Sequence, residues 1–398
     1  MADKKKNSPR LNFGGLFKKK DKKRRVGEAD GLVRVRAGVD RPFLLLVLIL
    51  VAIGTIMVFS ASYAYAKENY DDSYFFASRQ IRWVLFGSGV MFVMSYFDYL
   101  IIRRFQKLFF AFSMVMMAIV PFFGYEAGGA VRWFQFGGIN FQPSEFAKIA
   151  IILFFADYIA RDKGVGKSII GQVLPYLAVG GYMAITLVLE PHISCCIIVL
   201  LLIFVLMIFG GVPKKVIFLL AIAGVVLVGL MILISSHARE RILVWLNPAE
   251  HTQEGGWQPL QSLYAIGSGG FWGVGLGQST QKHLYLPEPQ NDYIFSILCE
   301  ELGFVFAAGV IILFVALVWR GIYIAKHAPS TYACLVVVGI VAQVAIQVLL
   351  NIAVVTNTFP STGIPLPFFS YGGTSLIILM AEMGMILNIS RYSYIEKG

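Results

Sequence analysis

Three groups of charged side chains interrupt otherwise apolar stretches of this sequence, and each could do chemistry. In the clearest group, Asp292 follows Leu286-Pro287-Glu288 and immediately precedes a long apolar run. A carboxylate at such a boundary could act as a general base toward a hydroxyl, or help to hold a divalent cation. An aspartate at the start of a membrane helix is more often a simple cap. The spacing leaves these roles open.

Two more acids, Glu300 and Glu301, lie in the same run. On a helix they would be roughly 12 Å further along than Asp292, and neither would share its face. Charges that deep in an apolar segment are expected to pair inside the protein or to face water. We therefore interpret Glu300 and Glu301 as structural residues.

The second group is Gln142-Pro143-Ser144-Glu145, followed by Lys148. Proline suits the first position of a helix, which places Glu145 in the first turn, where the helix dipole favours an anion. Lys148 follows three residues later on the same face, so the two side chains are expected to pair. The pair could bind a ligand or anchor the helix at an interface.

The third group is the short turn Glu190-Pro191-His192 between two apolar runs. An acid and a histidine there could bind a substrate or a cation, although a simple turn is the favoured interpretation. The cysteines Cys195, Cys196, Cys299 and Cys334 lie inside apolar runs without metal-ligand spacing, which predicts packing roles.

Two glycine-containing segments resemble nucleotide-binding loops. Residues 164–168 read Gly-Val-Gly-Lys-Ser, but Arg161 stands where a phosphate-binding loop requires its first glycine. Residues 267–277 hold several glycines without the strand–helix context of a dinucleotide loop. Their N–H groups could approach a phosphate, or the segment could be a tight loop on the membrane surface.

The composition predicts the elements that must position these groups. Hydrophobic residues make up 57% of the 398 residues and charged residues only 14%, whereas soluble domains carry about 25% charge. We predict an all-α integral membrane protein, because spanning helices need about 20 apolar residues. Ten transmembrane helices are predicted near residues 43–63, 81–97, 108–123, 146–160, 171–189, 193–210, 213–235, 293–318, 332–355 and 370–389.

Lysine and arginine are concentrated before Pro42 and in short loops that the positive-inside rule assigns to the cytoplasm. This predicts a basic cytoplasmic tail over 1–41, a transmembrane domain over 42–392 and a cytoplasmic C-terminus over 393–398. Residues 236–291 become a long extracytoplasmic loop between helices 7 and 8. The net charge of +11 lies largely in the tail and favours anionic lipid rather than nucleic acid.

Four blocks in this order resemble the SEDS family (shape, elongation, division and sporulation), from about Asp40 to Arg391. The blocks are Gly129-Ala130-Val131-Arg132-Trp133 with Gln142-Pro143-Ser144-Glu145 and Lys148; Gln261-Ser262 with 267–278; Leu286-Pro287-Glu288, Asp292, Phe295 and Glu300-Glu301-Leu302-Gly303; and Gly363-Ile364-Pro365-Leu366-Pro367 with Ser370-Tyr371-Gly372-Gly373-Thr374-Ser375. Residues 273–282 look more like the division member of the family than its elongation member.

The resemblance implies a peptidoglycan glycosyltransferase that polymerises lipid II into glycan strands at the outer face of a bacterial cell membrane. It implies a class B penicillin-binding transpeptidase and other division proteins as partners, and location at the septum. Magnesium or manganese is the candidate cofactor. The family's catalytic acid maps onto Asp292. Its other cavity residues map onto Arg132, Glu145, Lys148, Gln278, Lys282 and Glu288, while Ser370 in the last block has no assigned role.

Two departures from the family pattern affect this mapping. Pro289-Gln290-Asn291 replaces the Ala-His-Thr that commonly precedes the catalytic acid, and Pro191-His192-Ile193-Ser194 replaces Pro-Asp-Leu-Gly. The expected chemistry is attack by a sugar hydroxyl, activated by Asp292, with Arg132, Lys148 and Lys282 as candidates to neutralise the diphosphate. An elongation or sporulation role, a lipid-linked sugar flippase and a scaffold for division proteins remain alternatives.

Overall fold

The computed structural model describes residues 32–34, 38–127, 130–136, 139–161, 169–190, 192–234, 242–252, 255–392 and 394–396. Most of the predicted basic tail, the segment 164–168, Pro191 and the start of the predicted outer loop therefore lie outside the described residues.

The described chain is helical, with short strands between and beside the helices. The helices are α1 (Arg41–Tyr70), α2 (Phe75–Tyr96), α3 (Tyr99–Phe123), α4 (Pro143–Arg161), α5 (Ile169–Leu189), α6 (Ile193–Phe209), α7 (Lys214–Ile234), α8 (Trp257–Gly269), α9 (Ile294–Lys326), α10 (Thr331–Val355) and α11 (Gly373–Ser390). The strands are β1 (Leu32–Arg34), β2 (Tyr125–Ala127), β3 (Ala130–Phe136), β4 (Ile139–Phe141) and β5 (Tyr394–Glu396).

Six helices in the described part are long and apolar enough to cross a membrane: α1, α3, α5, α9, α10 and α11. Each overlaps a predicted span. Large apolar side chains such as Leu85, Ile312 and Trp319 are exposed, as expected of surfaces that contact lipid rather than water. The all-helical membrane architecture predicted from composition is thus confirmed.

A three-stranded antiparallel sheet, in the order β2-β3-β4, connects α3 to α4. The sequence pattern did not predict it. Its register pairs Tyr125 with Trp133 and Phe134 with Phe141, which presents Arg132 and Trp133 beside the start of α4. A second pairing, β1 with β5, joins the two terminal segments.

One end of the bundle is held by polar contacts around the start of α1. Asp40 caps α1 by accepting from the N–H of Phe43 at 3.0 Å. The Nη2 of Arg320, near the end of α9, donates to Asp40 at 2.7 Å, and the N–H of Asp40 donates to Ser390 at the end of α11. Asp292 precedes the opposite end of α9, so it lies at the other end of the bundle.

Residues 236–291, predicted as a loop, contain the helix α8 and a turn that packs closely against α9. The N–H groups of Val274 and Gly275 donate to the carbonyls of Glu300 and Glu301 at 2.9 Å. The helix α9 is locally non-helical at Gly303, where φ is 75°. The turn therefore lies alongside α9 rather than beyond its end, and these two N–H groups are not available to a phosphate.

Candidate active site

A cavity of about 920 Å³ opens where α2, the β3–β4 hairpin, the starts of α4 and α6, and the segments before α9 and α11 converge. It brings together the predicted residues Asp292, Arg132, Glu145, Lys148, Glu288 and His192. Gln278, Lys282, Glu300, Glu301 and Ser370, which the sequence analysis also singled out, are not part of its lining.

Asp292 lies in the wall of this cavity, two residues before α9. The helix cap is Tyr293, without a side-chain cap bond, so the interpretation of Asp292 as a helix cap is wrong. Its position is set from α10, where the Asn351 amide donates to the carbonyls of Asp292 and Ile364 at 2.7 Å. Burial raises the pKa of the Asp292 carboxyl to about 6, with a contribution from the negative charge of Glu288.

The residues before Asp292 orient a second carboxylate. The Asn291 amide donates to Glu288 at 2.7 Å, and Glu288 itself has a positive φ of 45°. The N–H of Tyr371, in the segment before α11, donates to the carbonyl of Gln290 at 2.9 Å. The segment 289–291, which departs from the family pattern, is therefore held by hydrogen bonds at Gln290 and Asn291.

The pair at the start of α4 forms as predicted. The helix begins at Pro143, and Lys148 Nζ lies 2.8 Å from the Glu145 carboxylate. Lys148 is only 1% exposed, so its charge requires this acid. Both residues line the cavity.

The turn between α5 and α6 contributes directly to the cavity through His192. The Nε of Arg132, on β3, donates to the carbonyl of Glu190 at 3.4 Å. Burial raises the pKa of the Glu190 carboxyl to about 8, opposed by Arg132. Burial lowers the pKa of the His192 imidazole to about 3, with contributions from Arg132 and Lys148.

Sequence reasoning missed Arg79 and Arg82, which reach the cavity from α2. Arg79 stacks over the ring of Phe75 at 3.8 Å, and the Nε of Arg82 donates to the carbonyl of Ser78. Two arginines three residues apart at the start of an apolar helix share one face. That spacing was the available signal, but on a membrane helix it equally describes an interfacial anchor.

Lys282 does not reach the cavity, which corrects the expectation that it contacts the diphosphate. Its Nζ lies 2.8 Å from Glu301, whose second oxygen accepts from Ser60 on α1 at 2.6 Å. Glu300 accepts from the Ser279 hydroxyl and from the N–H of Thr280. Glu301 is therefore paired with Lys282, Glu300 is hydrogen-bonded within the protein, and all three side chains belong to the same buried network.

The remaining predicted residues lie in turns, on the surface or in the packed interior. Ser370 accepts from the N–H of Leu366 at 2.7 Å and closes a turn. Gln278 is exposed beside the glycine-containing turn. The four cysteines are free thiols in buried or half-buried positions, and Cys195 also lines the cavity.

Three carboxylates of the described residues line the cavity, and one of them, Glu145, is already paired with Lys148. Asp292 and Glu288 are therefore the two that a divalent cation would meet. The described residues contain no group of three or more His, Cys, Asp or Glu side chains placed to hold a metal ion. Magnesium is commonly bound by one or two carboxylates together with substrate phosphates. The residues therefore fit a cation that is held jointly with a phosphorylated ligand.

The cavity combines a carboxylate suited to accept a proton with Arg79, Arg82, Arg132 and Lys148. A base can activate a hydroxyl, and fixed cations stabilise an anionic leaving group as its charge develops. The arrangement fits transfer of a group from a phosphorylated donor to a hydroxyl acceptor.

Known proteins are similar to this chain in sequence and in fold over most of their length. The family model described as "Cell cycle protein", covering FtsW, RodA and SpoVE, matches residues 40–395. Stage V sporulation protein E of Bacillus subtilis (strain 168) is 41% identical over 357 residues, 89% of this chain and 97% of that protein. A probable peptidoglycan glycosyltransferase FtsW of Trichlorobacter lovleyi is 36% identical, over 88% of this chain and 93% of that protein.

Solved structures agree with this relationship. A chain of a peptidoglycan synthase complex that coordinates polymerization and crosslinking matches with a TM-score of 0.75 and 25% identity, covering 89% of this chain and 98% of that chain. A mutant of Rod shape determining protein RodA from Thermus thermophilus matches with a TM-score of 0.66 and 25% identity, over 89% and 97% of the two chains. This chain therefore belongs to the SEDS family of shape, elongation, division and sporulation proteins.

Proposed function

We propose that this peptidoglycan glycosyltransferase polymerises lipid II into glycan strands at the outer face of a bacterial cytoplasmic membrane. One observation carries the proposal: a single cavity holds the half-buried carboxylate of Asp292 together with Arg79, Arg82 and Arg132. A polymerase of lipid-linked sugars needs a base for the acceptor hydroxyl and cations for the diphosphate, and this cavity holds both.

The proposed reaction is a single displacement. Asp292 takes the proton from the 4-hydroxyl of the acceptor sugar, and that oxygen forms a bond to C1 of the growing chain. The bond from C1 to the diphosphate breaks, and undecaprenyl diphosphate leaves with the electron pair. Because no enzyme nucleophile takes part, the configuration at C1 inverts. With a pKa of about 6, Asp292 is mainly ionised at neutral pH and can accept the proton.

The leaving diphosphate is assigned to the arginines. Guanidinium groups match phosphate oxygens with paired donors and stay charged at any physiological pH. Lys148 is already paired with Glu145, so its main proposed role is to stabilise the wall of the cavity and to add positive potential there. Lys282 has no part in this assignment.

A requirement for a magnesium or manganese ion is also proposed. Asp292 and Glu288 would hold it together with the diphosphate, and the ion would supply additional charge neutralisation when bound. A cation requirement should appear as loss of polymer after chelation and its recovery on adding magnesium or manganese.

The proposed topology has ten membrane-spanning helices, α1 to α7 and α9 to α11, within a domain over 42–392. It places residues 236–291 outside and both termini, 1–41 and 393–398, in the cytoplasm. Support comes from the end of the bundle opposite the cavity, where Arg103 and Arg161 both lie 2.7 Å from Asp157. Cations at that end agree with the positive-inside rule.

The proposed physiological role is septal synthesis during cell division, with a class B penicillin-binding transpeptidase and other division proteins as partners. The relative in a solved peptidoglycan synthase complex supports a synthase partner, and the FtsW relatives support division. The B. subtilis sporulation relative makes a sporulation role the main competitor. Depletion should give filaments if the role is septal, round cells if it is elongation, and normal growth with defective spores if it is sporulation.

The decisive test is polymer formation from purified lipid II by the full-length protein in vesicles, with and without the transpeptidase. Wild type should form polymer, Asp292→Ala and Asp292→Asn should not, and Glu250→Gln, an exposed acid outside the cavity, should match wild type. Normal polymer from both Asp292 variants would refute the assignment. Translocation of labelled lipid II without polymer would instead favour the flippase alternative.

A further inference from the structure

His192 is a buried polar side chain that the proposed reaction does not use. It immediately precedes α6, and the residue is 9% exposed in the wall of the cavity. Its backbone is satisfied, because its N–H donates to Leu187 at 2.8 Å and its carbonyl accepts from Cys196 at 3.2 Å. Within the described residues, nothing hydrogen-bonds to the side-chain Nδ1.

A ring nitrogen without a hydrogen-bond partner in a residue that lines a cavity indicates that a bound ligand supplies the missing hydrogen bond. Buried polar atoms are nearly always hydrogen-bonded, and leaving one unsatisfied costs about 1–3 kcal/mol. The Nδ1 atom is itself buried, but the His192 side chain lines the cavity, so a rotation of its ring can present this nitrogen to a molecule bound there.

The charges around His192 narrow the chemistry of that partner. Arg132 and Lys148 both act electrostatically on the imidazole, and they disfavour a second positive charge beside them. The neutral imidazole offers one donor and one acceptor. The arginines and Lys148 attract any anionic group of a ligand that enters the cavity. The group that hydrogen-bonds to the imidazole is therefore expected to be an uncharged polar group of the same ligand.

We propose that His192 is a substrate-binding residue that hydrogen-bonds an uncharged group of the lipid-linked sugar, a hydroxyl or an acetamido group, next to the diphosphate. The inference rests on the proposed function of this cavity and deepens it. Arg79, Arg82 and Arg132 bind the diphosphate of the donor or acceptor, and His192 hydrogen-bonds to the sugar attached to that diphosphate.

Binding measurements distinguish the contact with the sugar from the contact with the diphosphate. Full-length protein in nanodiscs, with Asp292→Ala to prevent turnover, is titrated with lipid II and with undecaprenyl diphosphate. The fluorescence of Trp83 and Trp133, which line the cavity, reports occupancy. His192→Phe keeps a ring without its nitrogens, whereas His192→Asn keeps a donor and an acceptor near the same position.

We expect His192→Phe to weaken lipid II binding about 10-fold and to leave undecaprenyl diphosphate binding unchanged. His192→Asn should keep lipid II affinity within about threefold of the parent. With Asp292 intact, His192→Phe should raise KM with little change in kcat, as expected for lost binding that is equal in ground and transition states.

Two results would overturn the inference: unchanged lipid II affinity in His192→Phe, or an equal loss of affinity for undecaprenyl diphosphate, which would assign the imidazole to the phosphates. If His192→Phe fails to fold, carbethoxylation of His192 by diethyl pyrocarbonate decides, because only lipid II, and not undecaprenyl diphosphate, should protect it. Equal protection or none overturns the inference.

Failure of the proposed function gives a different pattern: the protein with Asp292 intact would form no polymer and lipid II would not bind to any variant. If the His192 variants bind lipid II and form polymer as the parent protein does, the proposed function stands and only this inference is removed.

Discussion

The carboxylate of Asp292 owes its proposed role to its surroundings more than to its type. An aspartate in water has lost its proton well below neutral pH and is a weak base. Burial raises the pKa of this carboxyl to about 6, and Glu288 adds to the effect. A base with a pKa near the operating pH combines an ionised ground state with a useful affinity for the proton.

We predict that kcat/KM falls about tenfold per pH unit below pH 6 as Asp292 becomes protonated, and is level between pH 7 and 8. Removing the negative charge in Glu288→Gln lowers the pKa of Asp292, so the acid limb should move to lower pH. Initial polymerisation rates from pH 4.5 to 8 measure this. Glu250→Gln should leave the limb in place, and a limb that moves upward in Glu288→Gln would contradict the assignment.

The arginines on α2 make a second prediction at the residue scale. Arg79→Gln and Arg82→Gln should each weaken undecaprenyl diphosphate binding by about 10-fold, the cost of one charge-assisted hydrogen bond. Arg104→Gln, an exposed arginine at the opposite end of the bundle, is the matched control and should bind as wild type. Equal affinities in all three variants would remove the arginines from the diphosphate site.

At the scale of elements, α8 and α9 approach each other through their backbones. A Cβ on Gly303 would meet the backbone of Phe271, Trp272 and Gly273, and Gly303 also has a positive φ of 75°. The turn after α8 leads into residues 279–292, which carry Glu288 and Asp292. The close packing of two glycine-containing segments therefore helps to position the proposed base.

We predict that Gly303→Ala destabilises the protein and lowers polymerase activity, because the added methyl cannot be accommodated without moving the backbone of the turn. Gly309→Ala, in the same helix with open space around it, should be neutral or stabilising by up to about 1 kcal/mol. Thermal denaturation in detergent and polymer yield compare the two. Equal stability would show that the turn can move away without cost.

The buried pair Lys282–Glu301 is the second link between elements, joining the segment before Asp292 to α9. Removing one partner leaves an uncompensated buried charge, which typically costs about 3–5 kcal/mol. Lys282→Met should therefore lower the melting temperature strongly, and Lys282→Met with Glu301→Gln should recover much of the loss. The exposed pair Lys67–Asp71 is the control, and Lys67→Met should have little effect. A double variant no more stable than Lys282→Met would argue against the pair.

At the scale of the whole molecule, the proposed reaction requires the cavity to face the outside of the cell. A membrane-impermeant maleimide should label Glu250→Cys in intact cells, and Lys326→Cys only after permeabilisation. The native cysteines are buried or half-buried, so background labelling should be low. The reverse pattern would place Asp292 on the cytoplasmic side, where the nascent strand cannot be assembled.

The sequence by itself determined the features that depend on neighbours in the chain. Apolar runs of about 20 residues located the helices, because a membrane-spanning segment satisfies its backbone within itself. The start of α4 at Pro143 and the Glu145–Lys148 pair were predictable for the same reason, since residues three apart on a helix meet whatever the rest of the fold does.

Only the tertiary structure decided which charges share the cavity. Lys282 resembles a diphosphate ligand by position in its motif, yet Glu301 neutralises it and Ser60, from a distant helix, completes the network. Arg79 and Arg82 look like interfacial anchors in the sequence, yet they line the same cavity as Asp292. Partnerships between residues hundreds of positions apart follow from how the helices pack, and no local periodicity encodes that packing.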